Sequence, residues 1–513
     1  MTADKLTNSG TVASAGDLQV RVRDLSGAGG ILYGRNTRVE AKQADSVGTV
    51  TAQEQLDVQA EQLNIEQAGQ LAAGQAVNVM GDQIRNQGTV QGPRVAVNAE
   101  RLDNAGSIQA GDLTIKTQVF QNTGQATAAG VLNAEARELT NSGQLLAGDE
   151  LRLETDILNN AAGTIASSGQ ADIQVSGLFT NAGQVAAKNV TVTAGQLTSD
   201  LSGSEQQGTI SAEEDLSIQA GKVDGAARFI AGKQLNLQAD QVDLSDGIIY
   251  GQVTQISADT ANLGGQVYAA EELNLDAGDL TVGGTLASNQ RLGARVARTL
   301  TNTGVIGSHD LNIQTDTLNN TGVIQGEQVA ASARVLNNAA QGGQPNSGQI
   351  VSADALTVKA GQLNNHAGGL IGGEGTTLIQ TDLLDNAGGH LFGAPLDLQA
   401  KQVKALGTVT ASSLNYTSDA DYEVDGTLNA RDSITFTVRN TLRNRGTIRA
   451  NVVSAEAGAV ENQGTIETNV LTVRTGNFNN SGTISVGQSA DIEAGQFYNS
   501  GSVVSAGSLD LLG

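Results

Sequence analysis

One short phrase returns through the whole chain. Leu6-Thr-Asn8-Ser-Gly10-Thr-Val12 recurs as Ile84-Arg-Asn86-Gln-Gly88-Thr-Val90, as Leu102-Asp-Asn104-Ala-Gly106-Ser-Ile108 and, late, as Val460-Glu-Asn462-Gln-Gly464-Thr-Ile466. About 26 copies follow one another about 20 residues apart, a period that means a solenoid or array rather than a series of separate domains. Where the phrase is faint, apolar residues place starts near Leu201, Leu263 and Val424. Inside a copy the period is two: Leu311-Asn-Ile313-Gln-Thr315 and Leu235-Asn-Leu237-Gln-Ala239 alternate apolar and polar, which is the mark of a strand. Each copy therefore supplies about three short strands and three corners, too little to form a core alone. Wound into one coil and stacked on the next, the strands pair in parallel and in register, and like residues pack on like. The expected fold is all-β, a right-handed parallel β-helix. With strands about 4.8 Å apart, about 26 turns give a rod of roughly 125 Å.

Composition follows from this pattern. The 513 residues contain 3 Pro and 64 Gly, where average usage gives roughly 25 and 35. Proline cannot donate to a ladder and is excluded from central strands; Pro93 and Pro395 sit at expected corners, and Pro345 in an insertion at 339–348. Collagen is excluded by the lack of proline and of a three-residue glycine period. A leucine-rich repeat needs a different order of Leu and Asn, and calcium-binding nonapeptides are absent. With no Cys there is neither a disulfide framework nor a thiolate metal site. A net charge of −24 argues against nucleic acid as a partner. No apolar run is long enough for a membrane-spanning helix.

Asparagine stands at the third position of 16 copies: Asn8, Asn86, Asn104, Asn122, Asn141, Asn160, Asn181, Asn302, Asn320, Asn338, Asn365, Asn386, Asn444, Asn462, Asn480 and Asn499. Asparagine suits turns and bonds nearby backbone, and stacked amides bond one another as a ladder. These residues are read as structural. Phe120, Phe179, Phe478 and Phe497 replace Leu at the first position and are read as core.

Leu-x-Asn-x-Gly-x-Ile-x-Ala followed by Leu-x-Val-x-Ala, from Leu6 to Leu512, resembles the repeat of filamentous haemagglutinins. This family comprises large bacterial exoproteins exported by two-partner secretion, including adhesins and the stick-like proteins of contact-dependent growth inhibition. The resemblance implies a secreted or surface-exposed filament, associated with the outer membrane. It also implies a β-barrel partner in the outer membrane during export, and attachment to a receptor or glycan on a host or neighbouring cell. It implies a stalk. A β-helix polysaccharide-degrading enzyme is the weaker alternative, because the insertions are short and the histidines form no triad; no cofactor is expected. A family secretion domain, a signal peptide and a terminal toxin are not visible. Because solenoid ends normally carry caps, the chain is expected to be a piece of a larger exoprotein.

The whole of 1–513 reads as a single β-helix, with irregular turns at about 201–299 and 403–441, where asparagine lapses. Four aromatics, Tyr33, Tyr250, Tyr268 and Phe392, fall at an outward position that elsewhere holds small or polar residues. They are candidate contacts for a sugar or protein, although Tyr is also simply a good strand residue. Acidic residues gather at corners, as at Asp149-Glu150 and Glu271-Glu272, where they form turns and keep the surface soluble. His309, His366 and His390 lie in different corners and suggest no triad or metal set. No catalytic or metal-binding residues are assigned.

Overall fold

Alternation sends every second side chain inward throughout the computed structural model, which describes residues 1–199, 208–342 and 347–513. Among these residues there are strands and no helix, so no helix is long and apolar enough to cross a membrane. The start expected at Leu201 and the centre of the insertion, with Pro345, lie outside the described residues. The chain divides into two units, Met1–Ala258 and Asp259–Gly513.

Each unit is a parallel β-solenoid. In the first unit, one inward column runs Leu132, Leu151, Ala171, Val190, Leu216, Leu235, each paired in parallel with the next. In the second unit, the matching column runs Leu292, Leu311, Val329, Leu356, Thr377, Leu396, Leu414, Ile434, Val453, Leu471. These residues are buried, and full burial of one Leu or Val side chain contributes roughly 1.5–3 kcal/mol. Burial needs a coil on each side. In the last coil Leu509 and Leu511 are exposed, while Ala490 and Ile492, which they pair with, are buried.

One coil shows how the sequence sets its corners. Leu102 and Asn104 point inward, Gly106 turns the chain, Ile108 points inward, Gly111 and Asp112 make the next corner, and Leu113 and Ile115 return to the core. At Gly106 a Cβ would lie 2.2 Å from the carbonyl oxygen of Gly88, the equivalent glycine one coil back. Stacked corners come too close for any larger residue. Pro93 falls at a corner that the ladder skips, between the pairs Gly92–Ala110 and Arg94–Asp112. The insertion is tied at its base, where the amide of Gln341 donates to Ser347 Oγ over 2.8 Å.

Three repeat starts move. Leu197 pairs with Phe179 and Val223 and holds the place expected of Leu201. Tyr422, not Val424, pairs with Leu442 at the first position, and Val424 pairs with Asn444 at the third. The carbonyl of Leu263 accepts from the Gly283 and Gly284 amides, as that of Val282 accepts from Thr303 and Gly304. Leu263 is therefore also a third-position residue, and its coil starts at the buried Ala261. At Leu263 and Val424 an apolar residue has replaced asparagine at position three, and in sequence it imitates the apolar residue that opens a repeat; in the Leu197 coil position three is Ser199.

Thr377 interrupts the leucine column between Leu356 and Leu396. It is 0% exposed, and its hydroxyl has no hydrogen-bond partner. An unpaired buried hydroxyl costs about 1–3 kcal/mol, and valine has the same shape. Thr377→Val is therefore expected to raise local stability by about 1 kcal/mol, read as slower hydrogen exchange of Thr376–Asp385 in the folded chain. Unchanged or faster exchange would contradict this account of the hydroxyl.

Candidate functional site

The most ordered polar feature is the row of asparagines at position three. Inward-facing Asn side chains at equivalent places in successive coils meet amide to amide. In the first unit Nδ2 of Asn86 donates to Oδ1 of Asn104, and the same bond repeats through Asn122, Asn141 and Asn160 to Asn181, at 2.8–2.9 Å. In the second unit one ladder joins Asn302, Asn320, Asn338, Asn365 and Asn386 at 2.7–2.8 Å. Another joins Asn444, Asn462, Asn480 and Asn499 at 2.7 Å. All these bonds point the same way, from one coil to the next along the chain. The second N–H of each amide reaches a backbone carbonyl of the following coil, as Asn104 does to Gln125 and Asn320 to Gln349, both at 3.0 Å. Asn8 stands outside the ladders and donates to the carbonyl of Ile31. Asn499, in the last coil, is exposed.

Each ladder begins after a coil that cannot donate. Position three holds Ile65 before Asn86, Val282 before Asn302 and Val424 before Asn444. Accordingly Oδ1 of Asn86, Asn302 and Asn444 is buried without a partner. Where asparagine lapses, the corner is filled by Leu244, Leu263, Val282, Leu406 and Val424, all buried. A second, outward ladder runs in the opposite sense: Asn337 donates to Asn319 at 2.8 Å and Asn364 to Asn337 at 2.7 Å.

The outward aromatics have different immediate surroundings. Tyr33 is half-buried, and its hydroxyl accepts from Gln53 Nε2 at 2.7 Å. Tyr250, in the first unit, is 42% exposed beside Ile230. Tyr268, in the second unit, is half-buried beside Ala287. Phe392 is half-buried, and its ring covers Gly372, where a Cβ would lie 2.4 Å from Cδ1.

The 403–441 stretch holds a buried aromatic cluster that composition hides. Tyr416 and Tyr422 stack with centroids 3.7 Å apart, and Phe436 lies 6.4 Å and 6.1 Å from them. Tyr416 donates to the carbonyl of Ala400 at 3.3 Å. Burial pushes both tyrosine hydroxyls well above their ordinary range, so they act as packing, not as acids. The signal for Tyr416 and Phe436 was present in the alternations Leu414-Asn-Tyr416 and Ile434-Thr-Phe436. Tyr422 had none, because its start was masked by Val424.

Sequence reading also missed the single buried carboxylate among the described residues. Asp385 is 4% exposed. It takes Lys404 Nζ at 2.6 Å from the next coil and faces His366 Nε2 at 3.1 Å on the preceding one. Burial pushes its carboxyl up, but Lys404, His366 and the amide of Ala387 outweigh burial and hold it below the usual carboxylate range. Among the described residues no group of three or more His, Asp or Glu is placed to hold a metal ion.

Two outcomes follow. Asn320→Val leaves a donor of Asn302 and the acceptor of Asn338 unpaired in the core, at a cost of about 2–4 kcal/mol. Asn302→Val only moves the free carbonyl one coil on, to Asn320, and recreates the Val282 corner, so it costs less than about 1 kcal/mol. Denaturant titration of the two variants should separate them in that order; equal losses would remove the ladder's role. For Asp385, whose folded carboxyl is held low, the stabilisation is present above the unfolded value and lost as pH falls through the folded one, below about pH 4. Asp385→Asn should be less stable at neutral pH and should lose part of the drop in urea midpoint on acidification.

Comparison with known proteins places these corners. The chain shares 27% identity over 230 residues with Toxin CdiA of Escherichia coli, across 39% of this chain and 7% of that protein. It thus spans a small fraction of the relative's length. No solved structure matches it. The haemagglutinin repeat model matches nine overlapping stretches: 1–44, 34–106, 89–161, 127–200, 192–265, 254–342, 328–391, 392–465 and 455–513. With its in-register coils, asparagine corners and end-to-end repeat matches, the chain belongs to the haemagglutinin repeat family.

Proposed function

We propose that the chain is the stalk of a secreted or surface-exposed bacterial filament, and that it mediates attachment to host or neighbouring cells by holding other segments away from the surface. The observation that carries this reading is the run of haemagglutinin repeats through the whole length. Coil stacks on coil in each unit with little between them but corners. Export through an outer-membrane β-barrel partner agrees with a chain that has no Cys and folds from repeats, each completed by its neighbour. The partner at the far end is a receptor or glycan. A catalytic role gains no support from the histidines: His309 lies between Asp310 and Glu327, His366 beside Asp385, and His390 beside Thr410. None is poised against a nucleophile under a cleft. A second reading, the shaft of a toxin-delivery protein, is favoured by the similarity to Toxin CdiA.

A stalk tolerates changes of length in whole coils. Removing Leu442–Ala459, one coil whose ends are equivalent because Leu442 pairs with Val460, should leave the full-length protein exported and still attaching to cells. Leu311→Asp with Ile313→Asp, which buries charge in the core, should abolish surface display. Loss of attachment on clean coil removal, with display intact, would place the binding site in this segment and overturn the stalk reading. Killing of neighbouring cells without attachment to host cells would select the delivery reading.

A further inference from the structure

All three histidines lie in the second unit, and two of them reach across to a carboxylate on the next coil. His309, in Val305–Asn320, sets Nε2 3.0 Å from Glu327 of Val323–Ala339 and Nδ1 2.9 Å from Asp310. His366 sets Nε2 3.1 Å from Asp385 Oδ1, but without hydrogen-bond alignment. We propose that His309 forms a tie between consecutive coils that strengthens on mild acidification, a pH-responsive seam confined to the second unit.

The surroundings decide the sign. Around His309, the preceding coil contributes Arg291, in register with Asp310 and paired to Glu272 at 2.7 Å. The following coil contributes Glu327. Carboxylates thus dominate, and hydrogen bonding to Asp310 together with the Glu327 charge holds the His309 imidazole above its ordinary value. A group raised on folding adds stability below its unfolded value, and this is lost as pH rises through the folded one. Around His366, the preceding coil offers Ala339 in register, and the insertion 340–348 has no titratable residue. On the far side stand Asp385 and Lys404, with Lys404 engaged on the other oxygen, Oδ2. His390 works the other way. It packs 6.0 Å from Phe392, and burial holds its imidazole below the ordinary value, so acid weakens that corner.

Hydrogen exchange of the whole chain at about pH 7.5 and about pH 5.5, corrected for intrinsic rates, tests the seam. Protection in Val305–Asn320 and Val323–Ala339 should rise about threefold at the lower pH. Leu216–Gly225 and Gln234–Leu244 of the first unit, which has no histidine, should not gain. His309→Gln should remove the rise. A flat or falling profile in the natural chain, or a rise that survives in the variant, overturns the proposal. Equal loss at both pH values in the variant would assign the histidine a packing role and overturn it as well.

Discussion

Everything in this molecule depends on in-register parallel pairing between one coil and the next. A coil of about 20 residues cannot satisfy its own backbone or bury its own side chains. Its N–H and C=O groups are completed by the coils on either side, and so is its core. Registry then has a consequence that ordinary sheets lack: equivalent residues must stack on one another. Leucine accepts this because hydrocarbon packs on hydrocarbon. Asparagine accepts it because the amide carries a donor and an acceptor at opposite ends, so a column of identical amides is self-complementary. Aspartate at the same place would be repelled by its own copies.

The corner at position three has two solutions that stack as columns, and the chain uses both, with Ser199 and Gly225 as exceptions. One is a column of amides, as from Asn302 to Asn386. The other is a column of aliphatics, as at Leu263 and Val282. What is costly is the junction between them. Valine cannot donate, so the first amide of each ladder keeps a buried free oxygen at Asn86, Asn302 and Asn444. The opposite junction is gentler, because the last amide turns to backbone carbonyls: Asn181 to Thr209, and Asn386 to Leu406 and Thr408. The polarity of the ladder fixes which end is satisfied. Few long ladders therefore leave fewer free oxygens than many short ones, and all of these asparagines but Asn8 fall in runs of four or more.

The same logic explains what could be read in advance. The strands, their parallel stacking and the repeat length were legible because inward residues must be alike from coil to coil, and likeness is what a sequence displays. The limits were also physical. Starts at Leu263 and Val424 were read two residues late because the amide that marks position three had been exchanged for hydrocarbon. Tyr416 and Tyr422 stack across a site that most coils fill with aliphatics, and no repeat predicts an exception to itself. Asp385 was invisible because burial of a carboxylate depends on His366 and Lys404, about 19 residues away on either side. The outward aromatics could be placed on a face, but not in an environment: Phe392 covers Gly372, and Tyr33 meets Gln53.

Outward positions obey the opposite rule, and this accounts for how a chain of net charge −24 stacks at all. A charge repeated at one register position would face its copy about 4.8 Å away, so charged outward columns do not gain by repeating as the core does. Many of them alternate in sign instead. Lys116 faces Glu135 at 2.7 Å, Glu214 lies between Lys188 and Lys233, Arg334 pairs with Asp316, and Arg449 with Glu467. Exposed pairs of this kind are each worth about 0–1 kcal/mol; their role is to remove repulsion that a strict repeat would create. Where acids do adjoin, as Asp224 beside Asp243, a lysine on the same coil intervenes: Lys222 meets Asp224 at 2.6 Å. The interior is thus required to repeat, whereas charged surface columns gain by alternating; a neutral amide can repeat outside as well, as Asn319, Asn337 and Asn364 do. Variation among charged outward positions is then no decay of the pattern but an aid to stacking it, and it leaves the outward columns free to differ along the chain.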